Sequence, residues 1–237
     1  MRSMTNNPIV SAESPGSSLP APIQEYEDRL VWLQGNLRKR KLTGILLFDP
    51  ENVFWLTGYQ TIGYFTFHAT YVGVDGTPTI IARVVNRDLA LSYPTIGAFE
   101  AIIDTADPIS ILSGFLAANA RDDSIGIETS SRHLSVADYS CLVATAPCKF
   151  VESNGLVESR RAVKTNWEVD KMRLAARAAE AGLQAAINEI APGKTENDIA
   201  AAMFDGCIRA GSEYLGHPPL VVAGPTTSLC FAMWRRR

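Results

Sequence analysis

Histidine is scarce in this chain. The three present, His68, His133 and His217, stand far apart and form no HxH or HxxxH pair, so local spacing writes no imidazole-rich metal site. Cysteine is nearly as sparse. Cys141, Cys148, Cys207 and Cys230 include no CxxC pair and have no His or Cys at ligand spacing, which argues against zinc. Three of the four sit in apolar surroundings, and the expectation is buried thiols in a reducing compartment. No apolar run reaches the roughly 18 residues that cross a bilayer. The first 22 residues carry Arg2 with no continuous apolar stretch behind it, so no signal peptide is expected and a cytoplasmic location is. An excess of positive charge is missing too: 22 Lys and Arg face 25 Asp and Glu, for a net charge of -3. The clusters Arg38-Lys39-Arg40-Lys41 and Arg235-Arg236-Arg237 are short, and the first closes a helix, where cations suit the helix dipole. Neither nucleic acid nor membrane is expected as a partner. Two catalytic patterns are absent as well. Gly73 and Gly76 have no third glycine at GxGxxG spacing, and Thr129-Ser130-Ser131 near His133 has no GxSxG context.

What remains is ordinary globular chemistry. The 237 residues are 46% hydrophobic and 20% charged, enough for one large domain or one complete domain and part of another. Residues 1–22, rich in Ser, Pro, Asn and Ala, read as a mobile tail. Tyr26, Leu30, Leu33 and Leu37 make one helical stripe. Gly44 ends that region, and Ile45-Leu46-Leu47-Phe48 reads as a buried strand. Asp49-Pro50-Glu51-Asn52 is read as a turn in which Asp49 and Asn52 bond nearby backbone N–H groups. A short helix over 53–57, closed by Gly58, follows. Residues 70–74 and 78–82 flank Asp75-Gly76 as a hairpin. Helices are predicted around Ile109–Leu116 and Val136–Val143, and strands at 124–128 and 149–151. Alternating helices and strands describe an α/β domain over residues 23–155, with a linker at 156–165.

The character then changes. Thr165-Asn166-Trp167-Glu168 has the form of a capping box. Val169, Met172, Ala176, Ala179, Leu183, Ile187 and Ile190 make a long amphipathic helix that Pro192-Gly193 stops. A second helix opens at Thr195 and stops at Gly211, and residues 220–223 read as a strand. Two amphipathic helices need more cover than one strand gives. Residues 166–237 are therefore expected to be an unfinished domain, completed by more chain, by another subunit or by packing on the first domain.

At this point the chain resembles a family. The run from Asp49 to Tyr59 (DPENVFWLTGY) is similar to the signature D-P-x-N-x-x-Y-L-T-G-aromatic of the creatinase and Xaa-Pro peptidase group. Ile125-Gly126-Ile127-Glu128 matches its later IG-x-E strand, and residues 160–168 resemble its linker R-x-x-K-S/T-x-x-E. Ala191–Glu196 resembles x-P-G-x-T-E, and residues 222–228 resemble x-x-G-P-N/T-x-S. The five occur in order from about residue 24 to the end. The resemblance implies a creatinase-type N-terminal α/β domain, a mixed sheet with flanking helices, followed by an incomplete α+β pita-bread domain.

It also implies a hydrolase that cleaves a C–N bond in a small substrate: an Xaa-Pro peptide, or a creatine- or ectoine-like compound. Such enzymes hold two divalent ions (Mn, Co or Zn) on two Asp, one His and two Glu. By this resemblance the ligands follow Arg237, so no metal ligand and no catalytic residue is expected here, and the chain alone is expected to be inactive. Creatinase-like members work without metal, using a histidine a few residues after the G-P-x-x-S segment. Phe231 takes that place here, and a phenyl ring neither accepts a proton nor polarises a carbonyl.

Three residues remain as candidates for substrate binding: His68, His217 and Phe231. His68 is read either as a substrate contact across a dimer or as a hydrogen-bonded strand histidine. His217 either lines the pocket for the substrate side chain or caps a turn. Relatives of this kind are commonly dimers, so a homodimer is expected. The alternative to a hydrolase fragment is a non-catalytic binding or dimerisation module.

Overall fold

A computed structural model describes residues 19–235 and divides the chain into two compact units, Met1–Val163 and Lys164–Arg237. Most of the expected N-terminal tail, residues 1–18, lies outside the described residues, as do Arg236 and Arg237.

The first unit is a six-stranded mixed sheet with helices on both faces. Its strands are β1 (Gly44–Leu47), β2 (His68–Gly73), β3 (Thr79–Arg83), β4 (Ala98–Ile102), β5 (Ser124–Ile127) and β6 (Lys149–Glu152). They lie in the order β4-β3-β2-β1-β5-β6. The pairs β1/β2 and β2/β3 are antiparallel, and β3/β4, β1/β5 and β5/β6 are parallel. β1 is central and buried along its length, as its unbroken apolar run requires.

Alternation along the strands sorts side chains into two cores. Ile45, Leu47, Val72, Ile80 and Ala82 face one layer. They meet Leu33 and Leu37 of α1 (Ile23–Lys39), Val53 and Leu56 of α2 (Pro50–Thr57), and Leu156 and Val157 of α6 (Leu156–Arg161). Leu46, Ile81, Ile125 and Ile127 face the other, against Ile109, Leu112 and Leu116 of α4 (Pro108–Asn119) and Leu142 of α5 (Val136–Thr145). The short α3 (Arg87–Leu91) precedes β4.

The hairpin forms as expected, with residues 74–78 between its strands and Gly76 at φ 79°. The expected turn at 49–52 is instead the start of α2: Asp49 caps it by accepting from the N–H of Glu51 and Asn52, and Pro50 occupies its first turn. Gly58 closes α2 at φ 74°, a left-handed value that glycine adopts without strain. The strand β4 and helix α3 have no counterpart in the sequence reading.

The second unit holds α7 (Asn166–Glu189) and α8 (Glu196–Arg209), both opened by reciprocal capping boxes, Thr165 with Glu168 and Thr195 with Asp198. The helices pair through small residues. Ala178, Gly182 and Ala186 are buried on α7, and Ala200 and Cys207 on α8. A Cβ added at Gly182 would lie 2.2 Å from the Cys207 Sγ, so glycine is what permits this approach. The larger apolar stripe expected to pack stays open: Leu183 is 54% exposed and Ile190 69%. Residues 220–223 form no strand; all six strands among the described residues belong to the first unit. The thiols also differ from expectation. Cys207 is buried and Cys148 half-buried, but Cys141 and Cys230 are exposed. No helix among the described residues is long and apolar enough to cross a membrane.

Candidate functional site

His68 opens β2 opposite Ala82 and is buried, 8% exposed. The Tyr59 ring stacks on it at 5.5 Å between centroids, and Tyr93 meets Tyr59 edge-on. Neither imidazole nitrogen has a hydrogen-bond partner, and the Tyr59 hydroxyl and Thr70 Oγ1 are likewise buried without one. The hydrogen-bonded strand histidine is therefore not what forms. Burial first, and the nearby His133 second, lower the His68 pKa to about 4, so the ring is neutral at neutral pH. A neutral imidazole offers one donor and one acceptor, and both are unused here. Tyr64 packs edge-on against His133 at 5.7 Å.

The segment leading into His68 also lines a pocket of about 370 Å³, bounded by Thr66, Phe67, Arg83, Ile102, Ile103 and Asp104 among others. It lies where β3 and β4 end and α4 begins, and Arg83 pairs with Asp104 at 2.8 Å on its wall. His68 is not among its lining residues.

The other two candidates belong to the second unit. His217 is exposed, and its Nδ1 lies 2.7 Å from the carbonyl oxygen of Pro218. Phe231 is 75% exposed and held at φ 61°, a left-handed value unusual for a bulky side chain. Its segment is tied down by buried Glu196 at the start of α8. That carboxylate accepts from the backbone N–H of Ala223 at 2.8 Å and of Arg235 at 2.6 Å. The extended backbone at Ala223 is thus anchored by a side chain rather than by a neighbouring strand.

A further polar centre escaped the sequence reading. Asn52 is fully buried, and its amide reaches across the first unit instead of to a local turn. Its Nδ2 donates to Glu128 at 2.6 Å and to Glu158 at 3.0 Å, while its Oδ1 accepts from Arg161 at 2.6 Å. Glu128, 2% exposed, also accepts from the N–H groups of Phe48 and Asp49 at 2.8 and 3.0 Å. Burial outweighs these bonds and pushes the Glu128 carboxyl up to about 7. The signal available in the sequence was the pair of motifs that carry Asn52 and Glu128, not their spacing.

Among the described residues, no group of three or more His, Cys, Asp or Glu could hold a metal ion. The described residues do not fit the two-ion centre that the resemblance implies.

Comparison with known proteins bears on what surrounds these residues. Residues 29–163 match the model of the creatinase/prolidase N-terminal domain, and residues 170–236 match metallopeptidase family M24. The chain is 26% identical over 204 residues to the ectoine hydrolase of Halomonas elongata, covering 79% of this chain and 50% of that protein. Its fold is similar to the prolidase of Thermococcus sibiricus, with a TM-score of 0.72 at 18% identity over 90% of this chain and 57% of that one. The Xaa-Pro dipeptidase of Bacillus anthracis follows, with a TM-score of 0.64 at 16% identity over 80% and 50%. The chain spans about half the length of the curated relatives it matches.

Proposed function

The chain belongs to the creatinase/prolidase family, and from that premise we propose that it serves a hydrolase that cleaves a C–N bond in a small polar substrate. Its first unit would supply the N-terminal domain and its second the opening of the pita-bread domain. The substrate class is an Xaa-Pro peptide or a compact amide such as ectoine or creatine. No described residue is given a bond-breaking role; what this chain contributes is substrate contact. The observation that carries the reading is His68: a buried neutral imidazole with both nitrogens unpartnered is costly unless something polar meets it. In a homodimer that contact would be made across the subunit interface. His217 and Phe231, both exposed, are the candidates on the second unit for contact with the substrate body.

A non-catalytic binding or dimerisation module is the second reading. The exposed apolar side chains Met172, Leu183 and Ile187 on α7, with Ile190 at its C-cap, favour it.

The two readings separate in one chimera. This chain, substituted for the corresponding half of the H. elongata ectoine hydrolase, is expected to yield an enzyme that hydrolyses ectoine, creatine or an Xaa-Pro dipeptide. His68→Ala in that chimera should raise KM. A folded chimera inert towards all three substrates sinks the hydrolase reading. The chain alone, given Mn or Co and the same substrates, should show no turnover; metal-dependent hydrolysis by it would overturn the assignment of contact without chemistry.

A further inference from the structure

Asn52 joins elements that lie far apart in sequence. It sits in the first turn of α2, Glu128 follows β5, and Glu158 and Arg161 are on α6. The amide uses one hydrogen for each carboxylate and its oxygen for the guanidinium, so its orientation is fixed by its partners. Two carboxylates thus converge on one NH2 group beside a core that excludes water. The charged groups facing this point come from each element packed around it. Asp49 and Glu51 lie at the start of α2, Glu158 and Arg161 on α6, and Glu128 after β5. Acidic groups predominate. Glu158 raises the Glu128 carboxyl further, and the Asp49 carboxyl raises that of Glu51, while Arg161 opposes the latter.

One atom in this cluster is left over. Glu158 Oε2 is buried and has no partner, although its Oε1 shares the Asn52 amide with Glu128. Two carboxyl groups held on one amide, one of them with an oxygen left without a donor, form a site that favours the neutral form of one acid. A protonated Glu128 keeps a lone pair for Asn52 and gains a hydrogen to donate.

We propose that Asn52, Glu128, Glu158 and Arg161 form a proton-dependent latch that holds α6 against the sheet. With the proton on Glu128, α6 is docked through both Glu158 and Arg161. When that proton leaves to solvent, two carboxylates repel across a single amide and the polar side of α6 loosens, while Leu156 and Val157 remain in the core. The Glu128 value of about 7 places the change in the neutral range. α6 is the last element before Lys164, where the second unit begins, so the latch governs how firmly the end of the first unit is held.

Hydrogen exchange of the intact chain tests this between about pH 5.5 and 8.5, with intrinsic rates corrected for pH. Residues 155–163 are compared with α4, which carries none of these groups. Exchange in α6 is expected to accelerate by about tenfold relative to α4 as pH rises through neutrality, the change that one pKa unit of coupling produces. Glu128→Gln should remove that step. Glu158→Gln takes away the like charge and should move the midpoint to lower pH. Asn52→Ala should leave α6 fast at every pH; if that variant fails to fold, the two Gln variants still decide. An α6 that tracks α4 across the range, or a step that survives in Glu128→Gln, overturns the latch.

Discussion

Substituting Glu128→Gln is expected to change how stability depends on pH, and His68→Phe to change it the opposite way. Burial raises the Glu128 carboxyl from 4.5 to about 7. At about 1.4 kcal/mol per unit, this is roughly 3 kcal/mol. The folded state holds the extra proton, so that contribution is complete below pH 4.5 and is lost as pH rises to about 7. His68 runs the other way. Its folded value falls from 6.5 to about 4, so its contribution is complete above pH 6.5 and is lost as pH falls towards 4. Between about pH 4.5 and 6.5 the two slopes are equal and opposite, and in the native chain they cancel. Urea unfolding at intervals of about half a pH unit makes each visible. Changing Trp167 and Trp234 to Phe lets Trp32 and Trp55 report the first unit alone. Subtracting native from variant stability removes every group the two share. The Glu128→Gln difference should climb by about 3 kcal/mol from pH 4.5 to 7. The His68→Phe difference should fall by a similar amount from pH 4 to 6.5. Flat difference curves would refute the claim that burial holds these two groups away from their ordinary values.

Two further substitutions probe packing and capping. Gly206→Ala puts a Cβ 2.8 Å from that of Ala185, 3.0 Å from the Gly182 Cα and 3.1 Å from the Ala181 carbonyl oxygen. Overpacking of about 1–3 kcal/mol should exceed the roughly 1 kcal/mol that alanine gains over glycine in a helix, so circular dichroism should show the α7–α8 pair melting earlier, and a later melt would contradict the close approach. Asp49→Ala removes the acceptor for two N–H groups of α2 and should cost about 1 kcal/mol in urea unfolding, with Asp49→Asn staying near native; an Ala variant as stable as native would remove the cap from the account.

The elements legible in the sequence are those whose signal is local. The hairpin follows from Asp75-Gly76 between two apolar runs, and α7 and α8 start at the hydroxyl–carboxylate pairs that cap them. β4 was not legible because Ala-Phe-Glu-Ala-Ile alternates poorly and gains its pairing only from β3, reached through α3. Residues 220–223 have strand composition, yet no strand among the described residues pairs with them, and the Ala223 N–H goes to Glu196 instead. Composition reports what a segment prefers; which partner arrives is decided elsewhere in the chain. His68 was singled out from the run after the LTG motif, but its unpartnered nitrogens and its stacking on Tyr59 exist only once the sheet is built.

The Asn52 network and α7 show the same physics from two sides. At Asn52, Asp49 already caps α2, so the amide is free to serve partners 76, 106 and 109 residues away. No window of sequence holds those partners together. Along α7 and its C-cap, periodicity finds Met172, Leu183, Ile187 and Ile190 because they are large. The face that meets α8 is made of Ala178, Gly182 and Ala186, whose smallness is what lets the backbones approach. Close approach multiplies dispersion contacts along both helices, each small but together sufficient to set the pairing. A scale that ranks residues by hydrophobicity therefore points to the stripe that stays exposed and passes over the one that packs. That exposed stripe leaves Met172, Leu183, Ile187 and Ile190 each more than half exposed, while the packed seam is built from the smallest side chains.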